Sequence, residues 1–348
     1  MGASAATPDL IYDVVIPTRG GAPSYLDDAI TSVLGQTLPP RRVIVVVDGR
    51  PDVASRIRSD WPQVDVRVLY SPAGAAVARQ VGIEASAAPW VAFLDDDDLW
   101  RREKMAVTAC YIVAHPECSA LRSPYYLFAA RDDPAVEFSG QSVDFHGDEL
   151  AELELLAERS PVRNDFSYLD IEGDSLALLL ARNRGVIGST CVRREVLTTI
   201  APVPPGTRPG DDHLLFCLVA TEVEWHLIPE PLLFYRLHPG QDTRTADPAA
   251  GLAIIEARRK AWELCGTRAR LPLRAYGEAY RREFRRFVWS SARAGRLVIA
   301  AKTAAAATRL LPRWRDRLLL LIPEPIAWRW HHRRFMFTRP VRSARRRT

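Results

Sequence analysis

Residues 90–98 read Trp90-Val91-Ala92-Phe93-Leu94-Asp95-Asp96-Asp97-Asp98. A short unbroken apolar run is how a strand buried on both faces of a parallel sheet reads. Four aspartates close it. Like charges at that density repel, so each carboxylate must stay solvated, be paired or meet a cation. A solvated turn would satisfy the first option. The position argues for the last, because a core strand of an open α/β sheet delivers its C-terminal residues to the ligand crevice. Oxygen-only ligands suit a hard divalent cation, Mg²⁺ or Mn²⁺, which takes one or two carboxylates and completes its shell with substrate phosphates.

Upstream, the pattern alternates. Ala75 to Ala85 reads as a helix, Val64 to Tyr70 as a strand alternating apolar and polar residues, and Val43 to Val47 and Val14 to Ile16 as buried β-branched strands. Between the last two, Ser24 and Asp27 form a capping box, Leu26, Ile30, Val33 and Leu34 share one helix face, and Pro39-Pro40 stops the pattern. Strand and helix thus alternate from residue 13 to about 114, which predicts right-handed crossovers and a doubly wound parallel sheet. Its strands end in Pro17-Thr18-Arg19, Asp48-Gly49, Ser71 and Asp95 to Asp98, residues able to meet a nucleotide.

Downstream the reading is coarser. Cys118 to Ala129 is predicted as a strand, Gly147 to Glu158 as an acidic helix, Asp174 to Arg184 as an amphipathic helix and Val186 to Val192 as a strand. A proline- and glycine-rich loop, Pro202 to Gly210, brings Asp211-Asp212 to the start of a helix through Ala220. Carboxylates there are stabilised by the helix dipole, so capping alone would account for the pair. A domain boundary is placed near residue 246, where Thr243 to Pro248 is polar and ends in proline.

The 348 residues are 47% hydrophobic and 26% charged, which is globular composition and excludes collagen, a disordered tail or a disulfide-stapled miniprotein. The net charge of +5 hides an asymmetry. Residues 1–252 hold 22 Lys+Arg against 36 Asp+Glu, net −14, whereas the last 96 hold 25 against 6, net +19. Such a basic end implies an anionic partner. Five scattered cysteines spell neither a zinc knuckle nor a disulfide framework and fit reduced thiols in the cytosol. No secretory signal opens the chain, and no apolar run approaches the roughly 20 residues that span a bilayer.

The chain resembles the family 2 glycosyltransferases, inverting enzymes of the GT-A fold that use nucleotide-activated sugars. The resemblance rests on Val14 to Arg19, on Gly74 to Ile83 with Arg79, and on Val91 to Leu94 leading into Asp95 to Asp98. It also rests on Gly188-Ser189 before Arg193-Arg194, on Asp211-Asp212, and on Pro231 to His238. It covers about residues 12–240 and implies a GT-A catalytic domain over 1–245, with a nucleotide-sugar half at 12–114 and an acceptor half at 115–245. Residues 246–348 would form a basic, Arg- and Trp-rich helical extension.

The resemblance also implies roles. Pro17, Thr18 and Arg19 would flank the nucleoside, and Asp48 would accept the imide hydrogen of a pyrimidine, favouring a UDP- or dTDP-sugar, although Asp-Gly is equally a turn dipeptide. Arg79 would hold the diphosphate or the aspartates. Asp95 and Asp96 fall on the nucleotide-sugar side of the Asp-x-Asp pattern, and Asp97, with Asp95 and His238, on the metal. Asp212 falls on the general base, which takes the acceptor's proton. Asp211 stands where the family usually has Glu, a departure that bears on the acceptor or its supporting shell.

The expected function is therefore metal-dependent, inverting transfer of a sugar to a hydroxyl of a glycan, lipid-linked or small-molecule acceptor. A sugar nucleotidyltransferase or an inactive GT-A-like adaptor would share the sheet. In the basic end, Trp289, Trp314, Trp328 and Trp330 interleave with arginines, a pattern suited to an anionic membrane surface. No nucleic-acid motif accompanies the charge. The expected location is cytoplasmic, peripheral on the inner face of the cell membrane.

Overall fold

The computed structural model describes residues 10–133, 137–138, 141–160, 175–181, 183, 185–207, 209–238, 240–241, 248–268, 281, 284–285, 288–289, 292, 295, 297–311 and 314–320. The chain divides into two compact units, Met1–Ala246 with Glu256–Arg270 and Asp247–Ile255 with Leu271–Thr348.

The first unit opens with β1 (Tyr12–Thr18), α1 (Pro23–Leu34), β2 (Arg42–Asp48), α2 (Pro51–Asp60), β3 (Asp65–Leu69), α3 (Ala75–Ala85) and β4 (Trp90–Phe93). β1 pairs in parallel with both β2 and β4, and β2 in parallel with β3. β1 is buried along its whole length, as its apolar core residues Val14, Val15 and Ile16 require. Gly82 lets α3 lie close on the sheet, since a Cβ there would stand 2.3 Å from Val15 Cγ1.

The capping box at Ser24 and Asp27 does not form: α1 starts at Pro23 with no side-chain cap. Proline at the first helical position needs no donor partner, and Asp27 instead accepts from Arg56 and Trp61. The helix α2 escaped the sequence reading, although Pro51 at its start and the spacing of Val53, Ala54 and Ile57, all buried, were its signals.

The chain continues through β5 (Leu99–Trp100), α4 (Lys104–Ala114), β6 (Ala120–Arg122), β7 (Tyr125–Ala129), β8 (Glu137–Phe138), β9 (Gln141–Ser142) and β10 (Phe145–His146). After α5 (Leu150–Arg159) and α6 (Ser175–Ala181) come β11 (Cys191–Arg193), α7 (Arg194–Thr199), α8 (Asp211–Val219), β12 (Trp225–Leu227), β13 (Leu233–Leu237) and α9 (Pro248–Cys265). The main sheet has seven strands in the order β12-β6-β11-β4-β1-β2-β3, and β11 runs antiparallel to both its neighbours. A second sheet has four strands in the order β10-β7-β13-β5.

The single strand expected over Cys118 to Ala129 is two, β6 and β7, which join different sheets. Pro124 lies between them and has no N–H to continue a ladder. The strand expected over Val186 to Val192 is a 3₁₀ turn at Ile187–Ser189 followed by the short β11. There, side chains replace the ladder: Trp100 Nε1 donates to the Gly188 carbonyl at 2.8 Å and Lys104 Nζ to that of Ser189 at 3.0 Å. The expected helix over Asp174 to Arg184 is α6, with both end residues outside the described ones.

In the second unit the described helices include Leu297–Leu310 and Trp314–Leu320. Trp328, Trp330 and the arginines beyond residue 320 lie outside the described residues. Among the described residues no helix is long and apolar enough to cross a membrane.

Candidate active site

Parallel strands end at one edge of the sheet, so Thr18 at the end of β1, Asp48 at the end of β2 and the aspartates after β4 arrive together. They line a cleft of about 440 Å³ with Pro17, Arg19, Arg79, Asp211, Asp212 and His238.

The side chains interlock. Thr18 Oγ1 donates to Asp96 Oδ2 at 2.5 Å, which fixes the first loop on the aspartate turn. Asp48 is buried and accepts from the backbone N–H of Ala73 at 2.6 Å and of Gly74 at 3.0 Å, and Arg19 Nε stands 3.9 Å away. It thus clamps the loop ahead of α3. Each carboxylate oxygen has two lone pairs, so it retains capacity to accept another donor.

Arg79 is the central cation. It is buried on α3 and donates with Nη1 to Asp211 Oδ2 at 2.5 Å and with Nη2 to Asp95 Oδ1 at 2.6 Å. Burial opposes its charge, but Asp95 and Asp211 outweigh that and raise its pKa. One planar fork thereby ties the end of β4 to the start of α8. Gly210 makes that start possible, since it holds φ at 109° immediately before Asp211.

Burial is also the main cause that raises Asp212, to about 6, with Asp211 adding to it. Its Oδ1 accepts from the N–H of His213 at 2.6 Å. His213 itself is buried, and burial with nearby Arg258 holds its imidazole well below the ordinary value, hence neutral. Its Nε2 meets the Leu179 carbonyl at 2.7 Å, so it supports α8 from within.

The aspartate turn is held from the other side by Arg236 on β13. Its N–H donates to Asp98 Oδ1 at 2.9 Å and its Nε to the Asp97 carbonyl at 2.8 Å, while Nη2 reaches Asp28 at 3.0 Å. Asp28 was not singled out by the sequence, since its partner lies 208 residues away. His238 places Nε2 3.0 Å from Asp97 Oδ2, so it touches the carboxylate.

Asp95, Asp97 and Asp98 each offer an oxygen, all within 4.8 Å of one another. Asp98 is fully buried, its Oδ2 has no hydrogen-bond partner among the described residues, and burial followed by repulsion from Asp97 and Asp95 pushes its pKa well up. An orphaned buried carboxylate oxygen among carboxylates fits a hard divalent cation. The cleft as a whole is lined by six aspartates, Asp48, Asp95, Asp96, Asp97, Asp211 and Asp212, against two arginines, Arg19 and Arg79. An anionic diphosphate entering that surplus requires a counter-charge.

Residues 13–131 match the model of the Glycosyl transferase family 2. These residues, about a third of the chain, are similar to that family. It is 31% identical over 132 residues, 37% of its length and 52% of the relative's, to TuaG of Bacillus subtilis (strain 168), named for teichuronic acid biosynthesis. It is 32% identical over 91 residues, 25% of its length and 26% of the relative's, to the glycosyltransferase EpsJ of the same organism. The chain thus spans about half or less of these relatives. Among solved structures it is similar to S. aureus TarS 1–349 in complex with UDP-GlcNAc, with a TM-score of 0.50, 13% identity and 92% of each chain covered. That likeness is one of fold, and the mixed α/β, GT-A-like architecture of the chain agrees with it.

Proposed function

We propose that this chain is a metal-dependent, inverting glycosyltransferase that moves a sugar from a nucleotide diphosphate, UDP or dTDP, to a hydroxyl of a glycan, lipid-linked or small-molecule acceptor. The observation that carries the reading is the Arg79 fork, which joins Asp95 of the aspartate turn to Asp211 beside Asp212. It sets donor-side and acceptor-side carboxylates on one cleft.

In this reading Asp212 takes the proton of the acceptor hydroxyl. With its pKa near 6 it is mostly ionised at pH 7 yet remains an effective proton acceptor. The acceptor oxygen then bonds to the anomeric carbon from the face opposite the diphosphate, whose bond breaks, and the configuration inverts. Asp95, Asp97 and Asp98 would hold Mg²⁺ or Mn²⁺, with His238 steadying Asp97. A bound divalent cation neutralises charge on the leaving diphosphate. Asp48 and the Pro17-Thr18-Arg19 loop seat the nucleoside, and Asp96 reaches it through Thr18. Arg79 acts by holding Asp95 and Asp211.

The second unit supports a cytoplasmic, peripheral membrane location. Trp314 and Leu318 are exposed and Arg315 lies over the Trp314 ring at 5.4 Å, a pairing of apolar ring and cation suited to anionic headgroups.

The test is nucleotide release from a panel of nucleotide sugars, with and without Mn²⁺, beside melting shifts for the same ligands. A metal-dependent shift and turnover with a UDP- or dTDP-sugar is expected. Turnover of a sugar phosphate with a nucleoside triphosphate would instead establish a nucleotidyltransferase, and unchanged function in Asp97→Ala an adaptor.

A further inference from the structure

A second group of metal-ligating side chains lies apart from the residues that line the cleft. His115, Glu117 and His226 each offer one ligand atom, and these atoms all fall within 4.8 Å of one another. Two elements far apart in sequence bring them together: the turn that ends α4, and the edge strand β12.

The local structure presets all three. The N–H of His115 donates to the Tyr111 carbonyl at 2.9 Å, ending the helix, and the N–H of Cys118 donates to the His115 carbonyl at 2.9 Å, closing a turn. Pro116 stiffens that turn between the two ligands. His115 stacks on Tyr111 with ring centroids 4.3 Å apart, and its Nδ1 lies 3.5 Å from Glu117 Oε1. The Tyr111 hydroxyl lies 3.3 Å from His226 Nδ1, an outer-shell contact that orients an imidazole ligand. Trp225 is buried in the sheet, so alternation along β12 turns His226 to the other side.

We propose that His115, Glu117 and His226 bind a divalent transition cation of the zinc class, clipping the end of α4 to the edge strand β12. Two imidazoles and one carboxylate select such borderline cations over Mg²⁺ and Ca²⁺, which prefer oxygen alone. Glu117 and His115 are solvent-exposed enough for water to complete the shell. The site does not depend on the glycosyltransferase reading.

The experiment is equilibrium dialysis of the full chain with Zn²⁺ under excess Mg²⁺, with X-ray absorption of the bound zinc. Two imidazole ligands are expected. The cleft offers a single histidine, His238, so zinc held there would show at most one. His115→Ala and His226→Ala should each weaken binding at least as much as loss of an outer-shell partner does, roughly 10- to 100-fold. Glu117→Gln, nearly isosteric, should do the same with the fold intact by circular dichroism, and nucleotide-sugar turnover should persist in all three. Fewer than two imidazoles on the wild-type zinc, or less than about a tenfold loss in Glu117→Gln and the histidine variants, overturns the proposal.

Discussion

Asp212→Asn removes the proposed base while keeping its size. With a carboxyl pKa of about 6, the ionised fraction falls from about 0.9 at pH 7 to about 0.1 at pH 5, so wild-type kcat/KM should drop about tenfold over that range. The variant should lose about 100- to 10,000-fold at pH 7, the usual worth of a positioned general base, and should show no such limb. Stability should move the other way. The folded pKa lies above the ordinary carboxylate value of 3.8, so folding favours the protonated form. That contribution is present below pH 3.8 and is lost as pH rises through about 6. A shift of this size corresponds to about 3 kcal/mol if fully buried. Asp212 is only partly buried, and solvent screening reduces the figure to about 1–2 kcal/mol. Asp212→Asn should therefore melt higher than wild type at pH 7 and alike at pH 4. Nucleotide release from pH 5 to 8 and melting curves at both pH values provide the readouts. Activity of the variant within threefold of wild type, or a flat wild-type rate between pH 5 and 7, refutes the assignment.

Arg79→Ala should destabilise the fold by about 3–5 kcal/mol in chemical denaturation, because it leaves two carboxylates without their buried cation, and Arg79→Lys should restore only part. Asp97→Asn should abolish the Mn²⁺-dependent melting shift and cut turnover by about 100-fold or more, the loss of metal-borne charge stabilisation. Asp13→Ala, at the opposite end of β1, tests a purely structural carboxylate. Asp13 is fully buried, accepting from Arg41, Ser86, Ala87 and Ala88, and these bonds overcome the cost of burial and lower its pKa. Its stabilisation is thus present above pH 3.8 and lost as pH falls through the folded pKa. The variant should unfold about 3–5 kcal/mol more easily at pH 7, with activity per folded molecule retained.

The alternating half of the sheet was legible because its signal is local. Val14 to Ile16, Val43 to Val47 and Trp90 to Leu94 each read as a buried strand within a few residues, and Ala75 to Ala85 is helical from end to end in the structure as in the pattern. The same reasoning failed over Val186 to Val192, where the backbone carbonyls are taken by Trp100 and Lys104, residues some 85 positions away. Lys104 carried no sequence signal at all. Its burial pushes its pKa down to about 8 and is visible only once α4 packs.

By itself the sequence determined which chemistry was present: a run of four acids after a buried strand, a second acidic pair after a glycine, and an arginine on the helix before that strand. Propensity and apolar periodicity are properties of neighbours, and neighbours are what a sequence displays. Tertiary structure alone decided the partnerships. Arg79 spans the 132 residues to Asp211, and Arg236 the 138 to Asp98. Charges so far apart in the chain meet only because parallel strands end at one edge and burial there makes each pairing costly to leave unmade.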